Sequence, residues 1–402
     1  MKILQINSFG SGSTGRIVVD LYKALEKNGH ECIIGYGRDQ IERDVKSIKI
    51  GTSIDKYIHG AKTRIFDAHG FSSTKATKEF IKKVEEYNPD IFHLHNIHGY
   101  YINIKLLFRY LKDSKKPVIW TLHDCWAFTG HCAYFDFIGC NKWKSKCGNC
   151  IQKHSYPSSK LIDSSRRNYL KKKDLFTSLD NMTIITPSKW LANLVKESFF
   201  SKYNIQIINN GIDLNIFKPT KSNFRDKYNL KDKFVILGVA NVWDKRKGFE
   251  TFIKLAKRLD NNSIIILVGL DNKQIKMLPQ NIIGIRQTKN IEELVEIYTA
   301  VDVYVNLSVE ETMGLTTVEA LACGTPVIVN NATAMPEIVD KDCGIVVKKN
   351  DINDIVLNLN NIRNSNIKSK ICISRSRLYD NKIKYKEYIE QINSIYTNAV
   401  NS

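Results

Sequence analysis

Twelve short apolar runs, six in each half of the chain, constrain the fold more than any other feature of the sequence. The first six lie at 2–7, 31–37, 91–96, 117–124, 183–188 and 205–210. The second six lie at 234–240, 263–269, 282–286, 301–307, 326–330 and 344–348. Most are rich in Val and Ile and apolar on both faces, as strands buried on both sides are. Helical stretches such as Ile17–Lys27 and Phe249–Leu259 separate many of them. Such alternation predicts doubly wound parallel sheets, and two trains of it predict two Rossmann-like domains facing across a cleft.

A chain of 402 residues exceeds one ordinary core and agrees with that division. The turn-rich segment Asn209–Pro219 marks a hinge. The boundaries read as 1–217 for the first domain, with a cysteine loop at 125–150, and 218–378 for the second. Residues 379–402 read as a C-terminal helix that packs back on the N-terminal domain, with a stripe of Ile383, Ile389, Ile392 and Tyr396.

In open sheets of this kind ligands bind off the carboxyl ends of the strands. Ser308–Glu319 lies there, with Glu311 and Glu319 eight residues apart around a glycine turn. A helix starting at Gly314, Leu315 and Thr316 presents unpaired amides and a positive dipole end to an anion. A carboxylate within that helix binds neutral hydroxyls beside the anion, and phosphate plus hydroxyls describes a nucleotide-sugar. Taken alone, the two glutamates read as solvated acids near a helix, and the agreement of other segments overturns that reading.

Other segments bear on the same strand ends. Gly10-Ser-Gly-Ser-Thr-Gly15 follows the first strand and lets a phosphate or sugar approach the backbone, although its glycine spacing also suits a nicotinamide dehydrogenase. Lys245-Arg-Lys-Gly248 brings Arg246 and Lys247 to where a departing diphosphate needs cations, or is an exposed basic turn. His123 closes a buried strand, and His93, His95 and His98 cluster after its neighbour; a histidine so placed serves a site or simply fills the core.

A formal charge of +19 calls for an anionic partner: a phosphorylated substrate, a lipid surface or nucleic acid. Basic residues cluster at Arg166–Lys173 and mix with aromatics at Lys189–Lys202, which suits either a membrane surface or a solvated helix face. No apolar run approaches the ~18 residues of a membrane span, and the N-terminus reads as a strand rather than a signal peptide. The expected location is the cytoplasm, at the inner face of the cell membrane if the basic surface meets lipid, with nine reduced cysteines. Of these, Cys132, Cys140, Cys147 and Cys150 form a cluster ending in Cys-x-x-Cys; its readings are a closed structural zinc site or unligated thiols in a compact loop. Cys32, Cys323, Cys343 and Cys372 read as small core residues.

Pro89–Gly99, Thr121–Cys132 and Asn210–Pro219 resemble the retaining glycosyltransferases of family 4, which have the two-domain GT-B fold. Within that family they look like the bacterial polysaccharide branch, of the colanic-acid, capsule or O-antigen type. The resemblance implies that Glu311 contacts the donor sugar near the reacting carbon, and that Glu319 binds the nucleotide ribose. It implies that Lys247 grips the diphosphate, that His123 lies beside the transferred sugar, and that Gly15 is the glycine of the first loop. Two positions depart from the family pattern. Asn241 stands where an arginine is common, with Arg246 as its replacement, and Thr333-Ala334 stands where a glycine pair forms the floor of the sugar or acceptor pocket.

The reading is then a retaining, nucleotide-sugar-dependent glycosyltransferase of the hexosyltransferase type. It acts on a glycan or lipid-linked acceptor in bacterial surface polysaccharide biosynthesis, without a catalytic metal. The rival readings are a zinc-containing nucleic-acid-binding protein and an NAD-dependent dehydrogenase. The spread of basic residues over both halves argues against nucleic acid as a partner. For the dehydrogenase, the acid expected about 20 positions beyond the glycine loop is missing. Tyr36 and Gly37 stand there, with Asp39 nearest.

Overall fold

The computed structural model describes residues 1–365, 367 and 369–400. The chain divides into two compact units: Met1–Ile208 together with the chain from Tyr385 onward, and Asn209–Lys384.

The first unit is built on β1 (Lys2–Phe9), β2 (Glu31–Arg38), β3 (Ser47–Lys49), β4 (Ile91–Leu94), β5 (Val118–Thr121), β6 (Met182–Thr186) and β7 (Asn204–Ile207). They form a seven-stranded sheet in the order β3-β2-β1-β4-β5-β6-β7, and every pairing is parallel. The second unit carries β8 (Phe234–Val239), β9 (Ser263–Val268), β10 (Ile282–Ile285), β11 (Val303–Asn306), β12 (Val327–Asn330) and β13 (Gly344–Val347). Its order is β10-β9-β8-β11-β12-β13, again parallel throughout. Both sheets are doubly wound, and each apolar run of the sequence is a strand. Only β3 went unread, because three residues at a sheet edge carry no apolar run of their own.

Helices cover both faces, so central strands such as β4, β5, β6, β11 and β12 are buried along their whole length. In each sheet the strand order reverses beside its first strand, between β1 and β4 and between β8 and β11. At such a reversal in an open sheet the neighbouring loops run to opposite faces, and ligands bind there off the carboxyl ends.

The last helix, Asn381–Val400, contributes Tyr385, Tyr388, Ile389 and Ile392 to the core of the first unit, against Ile3, Val18 and Leu21. Ile383, placed in the apolar stripe by sequence, is instead exposed, because the buried face runs through the two tyrosines.

Candidate functional site

In the second unit three adjacent strands, β8, β11 and β12, deliver their loops to one edge. Val309 N–H donates to the Arg246 carbonyl at 2.8 Å, and Arg246 Nη1 donates to the Glu310 carbonyl at 2.9 Å, tying the loop after β8 to the loop after β11. Across this seam the Lys247 ammonium pairs with the Glu311 carboxylate. Both side chains are largely buried. Burial pushes the Glu311 carboxyl toward protonation, but the charges of Lys247 and Arg246 and hydrogen bonds from Lys247 and Ser308 outweigh it. The carboxyl is therefore held below its ordinary range and is ionised at neutral pH.

The loop after β12 is tied to the same edge. Thr333 Oγ1 accepts the Glu311 N–H at 2.9 Å, and Thr333 adopts φ 52°. A β-branched residue reaches that left-handed region only when its surroundings hold it there.

Gly314 turns the chain into the helix Leu315–Ala322 at φ 85°, and a Cβ added there would lie 2.6 Å from Met335 Sδ. Its conformation and its neighbour both demand glycine. The helix start carries no side-chain cap, so no N-cap side chain accepts from the amides of its first turn. Thr316 Oγ1 accepts from Tyr304 Oη at 2.7 Å. One turn further, Glu319 is 5% exposed and its Oε2 accepts from Tyr298 Oη at 3.1 Å. Asn241 lies exposed in the loop after β8, while Arg246 is bound to the seam.

In the first unit, Gly15 sits in the first turn of the helix Gly12–Lys27, and a Cβ there would meet the Gly10 carbonyl carbon at 2.9 Å. Glycine lets this turn close onto the loop after β1. His123, at the end of β5, is buried, with Nε2 3.1 Å from His95 Nδ1; His95 Nε2 is 3.3 Å from Gln5 Oε1. Since Gln5 Oε1 only accepts, the chain assigns Nε2–H to His95 and Nε2–H to His123 when both are neutral. Burial keeps them neutral: it lowers His123 to about 4 and His95 well below the ordinary value.

Sequence reasoning missed a second chain at the same edge, because its members lie far apart in sequence. His98 Nε2 is 2.8 Å from Asp124 Oδ2, and its Nδ1 is 3.1 Å from Tyr156 Oη. His93 is spent on Thr121 Oγ1 at 2.8 Å.

The cysteine loop packs beside this edge. Cys132, Cys140, Cys147 and Cys150 all line one cavity of about 20 Å³. Gly130 N–H donates to Cys147 Sγ at 3.2 Å, and the Cys132 and Cys150 thiols share a hydrogen bond that lowers Cys150 to about 7. Among the described residues no three His, Cys, Asp or Glu side chains are grouped as ligands of one metal ion. Cys32, Cys323, Cys343 and Cys372 are buried in the cores.

The basic run Arg166–Lys173 is not simply a surface. Lys172 is buried, donates to the carbonyls of Trp126 at 2.8 Å and Thr129 at 3.1 Å, and lies 3.3 Å over the Trp126 ring. Burial lowers its ammonium to about 7. In the second basic stretch, Phe200 is wholly buried and Trp190 and Phe199 pack on the same core. Among the described residues no helix is long and apolar enough to cross a membrane.

Two parallel doubly wound sheets, one ending in an ionised Lys–Glu pair beside an uncapped helix start, define a two-domain transferase of the GT-B type. Residues 14–216 match the family model for Glycosyltransferase Family 4, and residues 220–379 match that for glycosyl transferases group 1. The chain belongs to Glycosyltransferase Family 4, and it is a glycosyltransferase. It is similar to the colanic acid biosynthesis glycosyl transferase WcaC of Escherichia coli (strain K12), with 26% identity over 374 residues covering 89% of each chain. In fold it is similar to sucrose-phosphate synthase from Thermosynechococcus elongatus (TM-score 0.75, 17% identity, 99% of both chains). The Anabaena protein HepE, solved with UDP and glucose, is also similar (TM-score 0.66, 16% identity, 98% of this chain and 100% of that one). Neither the nucleic-acid-binding reading nor the dehydrogenase reading finds support.

Proposed function

We propose that this glycosyltransferase retains anomeric configuration and transfers a hexosyl group from a nucleoside diphosphate donor to a glycan or lipid-linked acceptor. The setting is bacterial surface polysaccharide biosynthesis in the cytoplasm, at the inner face of the membrane. The observation that carries the reading is the Lys247–Glu311 pair beside the uncapped helix start at Gly314. An ammonium, a guanidinium and uncapped amides at one strand edge suit a diphosphate, and an ionised carboxylate suits sugar hydroxyls and the positive charge that grows at the anomeric carbon.

In the proposed step the bond from the anomeric carbon to the diphosphate oxygen breaks, and the acceptor oxygen bonds to that carbon on the same face. The acceptor proton passes to the departing diphosphate, so no protein nucleophile is needed. Lys247, Arg246 and the amides at Leu315 and Thr316 take the charge that develops on the leaving group. Glu311 orients the sugar, Glu319 holds the ribose, and His123 is assigned to the transferred sugar by the family resemblance. HepE with UDP and glucose supports a uridine nucleotide as the first donor to try.

The cysteine loop is part of the proposal as a structural zinc site held by Cys132, Cys140, Cys147 and Cys150. Their shared cavity supports it. The ligands are not pre-grouped, so the ion itself would gather them.

The test is thermal stabilisation across UDP-, GDP- and dTDP-sugars, with NAD and single-stranded DNA as controls. One nucleotide-sugar class should raise Tm by several degrees, and Glu319→Ala should abolish the effect. A shift with NAD or DNA alone would overturn the donor assignment.

A further inference from the structure

The helix Ser53–Phe66 is turned inside out. Its buried residues are His59, Gly60 and Thr63, held by polar contacts: Thr63 Oγ1 donates to the His59 carbonyl at 2.9 Å, and Gly70 N–H donates to His59 Nε2 at 3.1 Å. Its apolar residues Ile54, Tyr57, Ile58, Ala61 and Ile65 recur at i, i+3, i+4, i+7 and i+11, one stripe of an α-helix, and that stripe faces solvent. Ile54 is 71% exposed and Tyr57 is 80% exposed. The stripe is extended by a neighbouring strap. Lys160 N–H donates to the Arg64 carbonyl at 2.7 Å and Ile162 N–H to the Ile65 carbonyl at 3.1 Å, which sets Leu161, 68% exposed, and Ile162 beside the helix end. A contiguous exposed apolar surface of this kind marks an interaction site.

The charges around the stripe choose the occupant. Lys62 and Arg64 flank it on either side, Lys160 continues it, and Asp55, the one acid in the helix, is tied to Thr52 in the N-terminal capping box. An apolar stripe bordered by cations is the pattern of a helix that lies in the headgroup layer of an anionic membrane. A second copy fits poorly, because a two-fold contact through this face would set Lys62 and Arg64 against their own counterparts.

We infer that Ser53–Phe66 and the strap 160–162 seat this enzyme on an anionic lipid surface, with the apolar stripe in the headgroup boundary and Lys62, Arg64 and Lys160 on lipid phosphates. The inference rests on the transferase reading for its purpose, delivery of a lipid-linked acceptor, but its geometry is independent of the donor site.

Co-sedimentation of the full chain with phosphatidylglycerol/phosphatidylcholine vesicles and with phosphatidylcholine vesicles tests it. The wild type should bind the anionic vesicles and lose binding in high salt. The double variant Tyr57→Glu/Ile58→Glu should bind at least tenfold more weakly. Lys62→Ala/Arg64→Ala should also lose tenfold or more, as roughly fivefold per basic residue implies. All variants should keep the wild-type melting point and nucleotide-sugar shift, since these side chains point into solvent. Absence of wild-type binding to anionic vesicles, or equal binding by the variants, overturns the inference. A wild-type dimer that Tyr57→Glu dissociates, with no vesicle binding, assigns the face to a second copy instead. Vesicle binding without any nucleotide-sugar shift leaves the surface standing and removes the donor reading alone.

Discussion

Thr333 holds Glu311 by its backbone: the threonine hydroxyl accepts the glutamate N–H at 2.9 Å across 22 residues of sequence, from a residue kept at φ 52°. The resemblance puts a glycine pair at this place, and glycine reaches that φ without strain. Threonine trades backbone ease for a side-chain bond that steadies the loop bearing the Lys247 partner.

That trade is separable by substitution. Thr333→Gly should keep or raise Tm, because the left-handed strain is relieved. It should lower kcat about fivefold, the worth of roughly one hydrogen bond that orients Glu311, with little change in KM. Thr333→Ser keeps the hydroxyl and should keep the rate. Steady-state transfer kinetics beside a melt decide it; an unchanged kcat in Thr333→Gly would remove the positioning role.

The Lys247–Glu311 pair should behave as a unit. Glu311→Ala should lower kcat by about 10³ and leave the fold intact, and Lys247→Ala should lower it by about 10²–10³, the scale for removing one electrostatic stabiliser of a developing charge. The double variant should cost little more than the worse single one, because each residue orients the other. Transfer assays on the three proteins give the cycle, and full additivity would show that the pair is not one device. Retained turnover by pure Glu311→Ala would sink its assignment.

Acid should destabilise the first unit early. Burial lowers His59 and His93 to about 3, His123 to about 4, and His69 and His95 well below the ordinary 6.5. These bases take up protons more readily when unfolded, so their stabilisation is complete above pH 6.5 and is lost as pH falls toward 3–4. His131 runs the other way. Burial lowers it, Asp67 more than compensates, and its contribution is present at low pH and fades as pH rises through its raised value. The depressed group outnumbers it, and each member contributes up to roughly 1.4 kcal/mol per pH unit in this window. Calorimetry from pH 7.5 to 5 should show Tm falling steeply below 6.5; a flat profile would mean that these rings are not held neutral.

Metal analysis decides the cysteine loop. One zinc per chain is expected, with Cys147→Ser/Cys150→Ser losing it and lowering Tm. Protein purified without chelator that carries less than about a tenth of an equivalent, and melts unchanged with added zinc, leaves four thiols around a small cavity and no site.

Much of the architecture was legible because strands such as Ile91–Leu94 and Val327–Asn330 are apolar on both faces, a pattern that buried parallel strands require and few other elements produce. The positions of Glu311, Gly314 and Lys247 at strand ends were legible for a related reason, because strand ends show in the hydrophobic pattern. What escaped depends on contacts between distant segments. The basic run at Arg166–Lys173 looked like a surface, but Trp126 and Thr129 offered carbonyls that drew Lys172 inside. His98, Asp124 and Tyr156 meet only because β4 and β5 are neighbours and the loop beyond the cysteines returns to them.

The sequence by itself determined where most strands form, how many sheets they build and that Lys247 and Glu311 lie in loops at strand ends, since local patterning and burial period act within a few residues. The tertiary structure decided which way each face points. The apolar stripe of Ser53–Phe66 has a helical period, and it is His59 and Thr63, finding polar partners inside, that turn Tyr57 to solvent. Thr333 likewise meets Glu311 only because β11 and β12 pair side by side and bring their loops together. Orientation of this kind follows from the summed hydrogen bonding and packing of distant residues, and no local pattern contains it.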